Sequence, residues 1–171
     1  GSAVNCMGSL MLMDNIVDLL PNPMEGNYHK ATKADGETEE FVVSPGGVHS
    51  HMDHMLALVK MASASGMTQV YLHGFLDGRD VGPQTAAGFI QTVETELKTI
   101  GCGQFATICG RYYAMDRDQR WERVEKAYQA MVFGVGEKAG CALEGIVQST
   151  ETDEFILPTV ITDQNEQPIA T

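Results

Sequence analysis

Between Phe41 and Phe133, short apolar runs alternate with longer amphipathic stretches, and few folds accommodate that alternation. Phe41-Val42-Val43 reads as a short buried strand, closed by the strand-to-helix turn Ser44-Pro45-Gly46-Gly47. Ser50 to Ser65 then places Met52, Met55, Leu56, Val59 and Ala62 on one helical face, and Gly66 ends it. Gln69 to Phe75 is a second strand. Pro83 suits the first turn of a helix whose buried stripe is Phe89, Ile90, Val93, Leu97 and Ile100, with Gly101 as its stop. Phe105 to Cys109 is a third strand. After a loop at Gly110, a helix with Val124, Ala127, Tyr128 and Met131 runs through about Phe133. Strands alternating with helices predict an α/β fold, a mostly parallel sheet with helices on both faces. The tail has a different pattern. Phe155-Ile156-Leu157 and Val160-Ile161-Thr162, followed by a turn at Asp163 to Gln167, predict a C-terminal β-hairpin.

The part before this pattern is poorly legible. Gly1-Ser2 resembles the scar of a cleaved tag. Leu10 to Leu20 has helix-like apolar spacing stopped by Pro21, and Pro21 to Gly36 reads as loop. The expected division is therefore an N-terminal segment, 1–40, and one compact domain, 41–171. No apolar run is long enough to span a bilayer. The four cysteines, Cys6, Cys102, Cys109 and Cys141, form no C-x-x-C pair, so neither a zinc site nor a disulfide framework is indicated. A reduced, cytoplasmic setting is the expectation. The net charge of -12 argues against nucleic-acid binding, which needs basic surface to displace counterions.

In a parallel sheet, ligands collect at the carboxyl ends of the strands. Three loops leave those ends here: Ser44 to His54, Leu76 to Gly82 and Gly110 to Arg120. Together they hold His49, His51, His54, Asp77, Arg79, Asp80, Arg111, Asp116 and Arg117. Charge points to the same edge. Of the chain's five arginines, Arg111, Arg117, Arg120 and Arg123 fall within Gly110 to Arg123, beside the only tryptophan, Trp121. Arginine forks isolated on an acidic chain suit bidentate capture of phosphate or carboxylate. A helix face laced with salt bridges from Asp118 and Glu122 has about equal weight on this stretch alone. Trp121 reads as packing for the adjoining helix.

Two short runs have chemistry of their own. His49-Ser50-His51-Met52-Asp53-His54 spells H-x-H-x-D-H, which resembles the metal loop of the metallo-β-lactamase superfamily. A full site of that type needs ligands well downstream, and only His73 follows. Three exposed histidines at a helix start fit the spacing better. In Leu76-Asp77-Gly78-Arg79-Asp80 the Asp-Gly pair is a turn signal. Placed after a strand, the run also sets a carboxylate beside a guanidinium, which can take a hydroxyl proton while the arginine holds an anion.

GGVHSH at Gly46 to His51, HGFLDGRD at His73 to Asp80 and GRYYAMDRDQRWERVEKAY at Gly110 to Tyr128, taken together, resemble the cofactor-independent (2,3-bisphosphoglycerate-independent) phosphoglycerate mutases. The likeness runs from about Val43 to Thr171 and includes DEFILPTVI at Asp153 to Ile161. It implies the inserted phosphotransferase domain of a two-domain enzyme that interconverts 3-phosphoglycerate and 2-phosphoglycerate in glycolysis and gluconeogenesis. The implied partner domain resembles alkaline phosphatase and holds a serine nucleophile and two Mn²⁺, or Mg²⁺ or Co²⁺. No serine-nucleophile motif or metal set of that kind stands in this chain, and the family's further arginine pair is absent, so an excised domain without its own metal cofactor is expected. The matching motifs imply substrate-binding roles for His49, Arg79, Asp80, Arg111 and Arg117. Asp80 and Arg79 would be nearest the chemistry, with Asp80 handling the hydroxyl proton. A non-catalytic anion-binding module is the alternative, and a metallohydrolase built on the histidine loop is a weaker one.

Overall fold

The computed structural model describes residues 37–170. The helix expected at Leu10 to Leu20 and the loop expected at Pro21 to Gly36 lie outside the described residues. Among the described residues, five strands form one sheet: β1 (Glu37–Val42), β2 (Val70–Leu76), β3 (Gln104–Gly110), β4 (Glu137–Ala139) and β5 (Thr159–Ile161). Their order across the sheet is β1-β2-β3-β5-β4. β1, β2 and β3 are parallel neighbours, β5 runs antiparallel to β3, and β4 is parallel to β5. The helices are α1 (Met52–Ala64), α2 (Ala86–Ile100), α3 (Arg111–Ala114), α4 (Trp121–Phe133) and α5 (Ala142–Gln148), and Asp153–Phe155 is a 3-10 turn. The α/β architecture expected from the alternation is therefore present.

The main core lies on one face. Met55 and Val59 of α1, Ile90 and Val93 of α2 and Ala142 of α5 pack over Leu72, Leu76, Phe105 and Ile108, all of them buried. Burying each such large side chain contributes about 1.5–3 kcal/mol. Phe105 and Ile108 are three residues apart, and strict strand alternation would send them to opposite faces. A register shift between Leu72 and His73 solves this: Leu72 pairs Phe105, whereas His73 pairs Thr107. Thr107 consequently turns to the other face, where its Oγ1 lies 2.8 Å from His73 Nδ1. Burial pushes that imidazole down to about 4, so it stays neutral. On this side α4 lies against β3 and β5.

Several elements depart from the sequence pattern for identifiable reasons. β1 includes the polar residues from Glu37 onward, and among the described residues it stands at the edge of the sheet. β4 and α5 carry no sequence signal: Glu137-Lys138-Ala139 is a three-residue strand that buries only Ala139, and Ala142–Gln148 is too brief to display a period. α4 buries Ala127 and Ala130, whereas Tyr128 is exposed, because small residues let the helix approach the sheet. Trp121 is 50% exposed, so it does not pack the helix as expected. Phe155-Ile156-Leu157 is not a free hairpin strand. Phe155 is the last residue of the 3-10 turn, and Ile156 ties to β3, with the Gly110 N–H donating to the Ile156 carbonyl at 2.8 Å. The closing turn is present: Asp163 N–H donates to the Gln167 carbonyl at 2.8 Å, and Thr162 bridges Pro168 antiparallel.

Asp153 is buried and joins the tail to the start of α2. Its Oδ2 accepts from the N–H groups of Thr85 at 2.7 Å and Ala86 at 2.8 Å. The carboxylate thus serves as a helix cap from a distant part of the chain, where Thr85 gives no side-chain cap. Asp153→Ala should lower unfolding free energy by about 1–2 kcal/mol, the usual loss for a removed cap. An unchanged urea midpoint would mean that these amides find another acceptor.

Candidate functional site

Three loops meet at the carboxyl edge of β1, β2 and β3. The β1–α1 loop turns sharply at Gly47, whose φ of 70° is left-handed. Ser50 fastens this loop to the strand: its hydroxyl accepts from Val42 N–H at 3.1 Å. His51 caps α1, its Nδ1 accepting from Asp53 N–H at 3.2 Å. That assignment explains part of the H-x-H-x-D-H run. Among the described residues, no group of three or more His, Cys, Asp or Glu side chains is placed to hold a metal ion. With His51 engaged in capping α1, these residues do not fit the metal loop that the H-x-H-x-D-H run resembles.

The centre of the site is Arg111, the first residue of α3, only 8% exposed. Its Nη1 donates to Asp77 Oδ1 at 2.7 Å and to Asp80 Oδ2 at 2.6 Å. Its Nη2 lies 2.9 Å from His49 Nε2, and His49 Nε2 is 3.8 Å from Asp80 Oδ2. Side chains from all three loops therefore enter a single network: His49 from the first, Asp77 and Asp80 from the second, and Arg111 from the third. Burial opposes the charge on Arg111, but hydrogen bonds and attraction from Asp80 and Asp77 outweigh it and hold the guanidinium charged.

Asp77 is the member that sequence reading left out of the binding set, because its Asp-Gly context looks like an ordinary turn. It is buried, and burial pushes its carboxyl upward. Hydrogen bonds from the Asp80 N–H, the Ser44 hydroxyl, Arg111 and the Arg79 N–H prevail and hold it below the usual carboxylate range. Ser44, also missed, donates from Oγ to Asp77 Oδ2 at 2.7 Å.

The other arginines separate from this network. Arg79 is exposed and reaches Glu154 Oε1 at 3.5 Å, so it flanks the network rather than entering it. Arg117 is exposed on the loop between α3 and α4 and takes no part in the network. Arg123 is structural: its Nη1 donates to Asp116 Oδ1 at 3.2 Å, and its guanidinium lies 3.9 Å from the centre of the Tyr112 ring. Asp116 also accepts from the N–H groups of Asp118 and Arg120, which fixes the loop carrying Arg117. The arginine-rich stretch is thus divided between the carboxyl-edge network of Arg111 and a salt-bridged scaffold around Asp116.

The fold and this network together define an α/β domain with a buried guanidinium, an acid and an imidazole at the carboxyl edge of three parallel strands. Comparison with known proteins gives the family. Residues 22–171 match the family described as BPG-independent PGAM N-terminus, so the chain belongs to that family of phosphoglycerate mutases. The 2,3-bisphosphoglycerate-independent phosphoglycerate mutase of Clostridium perfringens is 54% identical over 132 residues, covering 75% of this chain and 26% of the relative. The enzymes of two further strains of that organism are equally similar. The crystal structure of Leishmania mexicana phosphoglycerate mutase at low cobalt concentration superimposes with a TM-score of 0.78 at 27% identity, covering 83% of this chain and 28% of that one. The chain spans about a quarter of the length of these relatives.

Proposed function

We propose that this chain is the substrate-binding, phosphotransferase part of a cofactor-independent phosphoglycerate mutase that interconverts 3-phosphoglycerate and 2-phosphoglycerate in cytoplasmic glycolysis. The observation that supports this most is the meeting of Arg111, Asp80 and His49 in one network. Arg111 receives an anionic group of the phosphoglycerate, exchanging the Asp80 carboxylate for substrate oxygens. Asp80, released from Arg111, then stands beside the glycerate hydroxyls and accepts a proton from the one that takes up the phosphoryl group. His49 contacts the substrate's charged end. Arg79 and Arg117, both exposed on flanking loops, close on the anion when substrate is present. Among the described residues, no helix is long and apolar enough to cross a membrane.

The remainder of the enzyme, an alkaline-phosphatase-like domain, supplies the serine nucleophile and the divalent ions, Mn²⁺ or Mg²⁺ or Co²⁺. This chain's residues bind and orient the glycerate and hold the hydroxyl proton. Positioning alone does not move a phosphoryl group, which needs an acceptor and charge stabilisation. The purified chain with added Mn²⁺ should therefore give no turnover in an enolase-coupled assay. Turnover that follows the chain through purification, and disappears in Asp80→Asn, would show that the chain has a nucleophile of its own. An anion-binding module without catalysis is the weaker reading, because a carboxylate hydrogen-bonded to the anion-binding arginine disfavours plain anion capture.

A further inference from the structure

We infer that Asp77, backed by Ser44, is the positioning residue that sets Arg111 for substrate, and that Asp80 is the partner Arg111 exchanges. This rests on the proposed reading of Arg111 as the anion receptor. Both carboxylates share Arg111 Nη1 at nearly equal distances, 2.7 Å for Asp77 and 2.6 Å for Asp80. Their surroundings are unequal. The Asp77 side chain is 2% exposed and that of Asp80 23%. Asp77 accepts four hydrogen bonds: from Ser44 Oγ at 2.7 Å, Arg111 Nη1 at 2.7 Å, Asp80 N–H at 3.0 Å and Arg79 N–H at 3.2 Å. The Asp80 carboxylate accepts one from Arg111 and faces His49.

An anion arriving from solvent meets Asp80 first and competes for one hydrogen bond. Taking Arg111 from Asp77 would strand a buried carboxylate that Ser44 and two backbone amides hold in place, whereas Asp80 can turn to solvent. Asp77 also links the three loops. It holds the amides of Arg79 and Asp80 in its own loop and Arg111 in the next. Through Ser44, whose Oγ accepts from Gly46 N–H at 3.2 Å, it reaches the loop that bears His49. The approach is close: a Cβ added at Gly46 would stand 3.1 Å from Asp77 Oδ2 and 3.3 Å from Asp80 Cβ. One buried carboxylate thus sets the angle of the guanidinium and the position of the acid beside it.

Arginine side-chain ¹⁵N NMR of the 171-residue chain tests this directly, through the rate at which the Arg111 guanidinium rotates. Asp77→Asn keeps the shape and removes the charge. It should speed rotation about tenfold or more, the equivalent of one charge-assisted hydrogen bond, and weaken 3-phosphoglycerate binding by a similar factor. Asp80→Asn should change rotation less than Asp77→Asn does. Ser44→Ala, which leaves both carboxylates in place, should speed rotation about threefold and keeps the test available if Asp77→Asn fails to fold. Wild-type rotation in both Asp77→Asn and Ser44→Ala, or faster rotation in Asp80→Asn than in Asp77→Asn, would overturn the assignment. If 3-phosphoglycerate moves no resonance in the wild-type chain, the substrate reading fails, and the rotation rates still decide whether Asp77 anchors Arg111.

Discussion

Arg111→Ala in a full-length phosphoglycerate mutase carrying this domain should lower kcat/KM by about 2–5 kcal/mol, the penalty when a desolvated charge pair loses one member. The isolated chain should suffer as well. Without the guanidinium, Asp77 and Asp80 face each other, and Asp77 stays buried with a charge answered only by Ser44 and two amides. Breaking a buried pair from one side costs about 3–5 kcal/mol. The pH dependence has a definite sign. Asp77 is held below its ordinary carboxylate value, so its contribution to stability is full above that value and is lost as the pH falls through the lower, folded one. Arg111 is one source of that depression. The gap in urea stability between wild type and Arg111→Ala should therefore be widest near neutrality and shrink in acid. Equal stability at neutral pH, or a gap that widens in acid, would remove Arg111 from the centre of the network.

Gly110→Ala should be comparably severe, for steric rather than electrostatic reasons. Gly110 ends β3 with φ of -64°, which any residue can adopt, so backbone freedom is not what glycine provides here. Space is the issue. A Cβ at this position would stand 2.3 Å from the Glu154 carbonyl oxygen and 2.8 Å from Ile156 N. Both neighbours are backbone, so neither can turn aside as a side chain would. The strand must separate from the Asp153–Phe155 turn, which breaks the Gly110–Ile156 hydrogen bond and tilts Arg111, the next residue. A loss of about 3–5 kcal/mol is expected, at the upper end for overpacking. Gly88→Ala is the control. Gly88 is an exposed residue in α2 with nothing within 4 Å of an added Cβ, so alanine there should stabilise by about 0.5–1 kcal/mol. Thermal unfolding of the two variants side by side is the measurement. A Gly110→Ala chain as stable as wild type would mean that the tail does not rest on β3.

The legible parts of this protein were those with a period or a stop signal. Met52, Met55, Leu56 and Val59 repeat as a helix must, and Gly66 and Gly101 end their helices with positive φ. The strand-to-helix order placed the loops of His49, Asp80 and Arg111 on one edge before any coordinates. What stayed hidden depends on contacts between distant positions. Arg111 lies 62 residues from His49 and 34 from Asp77, and no local pattern announces that these side chains touch. Asp153 caps a helix 67 residues upstream, which its own neighbours do not disclose. Arg111 and Arg123 look alike in one cluster, yet one is enclosed by site carboxylates and the other clasps Asp116. Burial separates them, and burial is not a local property of sequence. On α4 Ala127 is buried as its spacing predicts, but close packing against the sheet takes Ala130 rather than the larger Tyr128 beside it.

The most direct measurement is an NMR titration of the ¹⁵N-labelled chain with 3-phosphoglycerate. Net charge opposes an anion and, among the described residues, Arg111 is the one guanidinium fixed in the network, so binding on the order of millimolar is expected, equivalent to roughly 4 kcal/mol. The shifted amides should be those of Gly46 to His51, Asp77 to Asp80 and Arg111, and the shifts should fade in Arg111→Ala and with added salt. Saturable shifts elsewhere in the chain, or shifts at this edge that persist unchanged in Arg111→Ala, would contradict the placement of the substrate at Arg111.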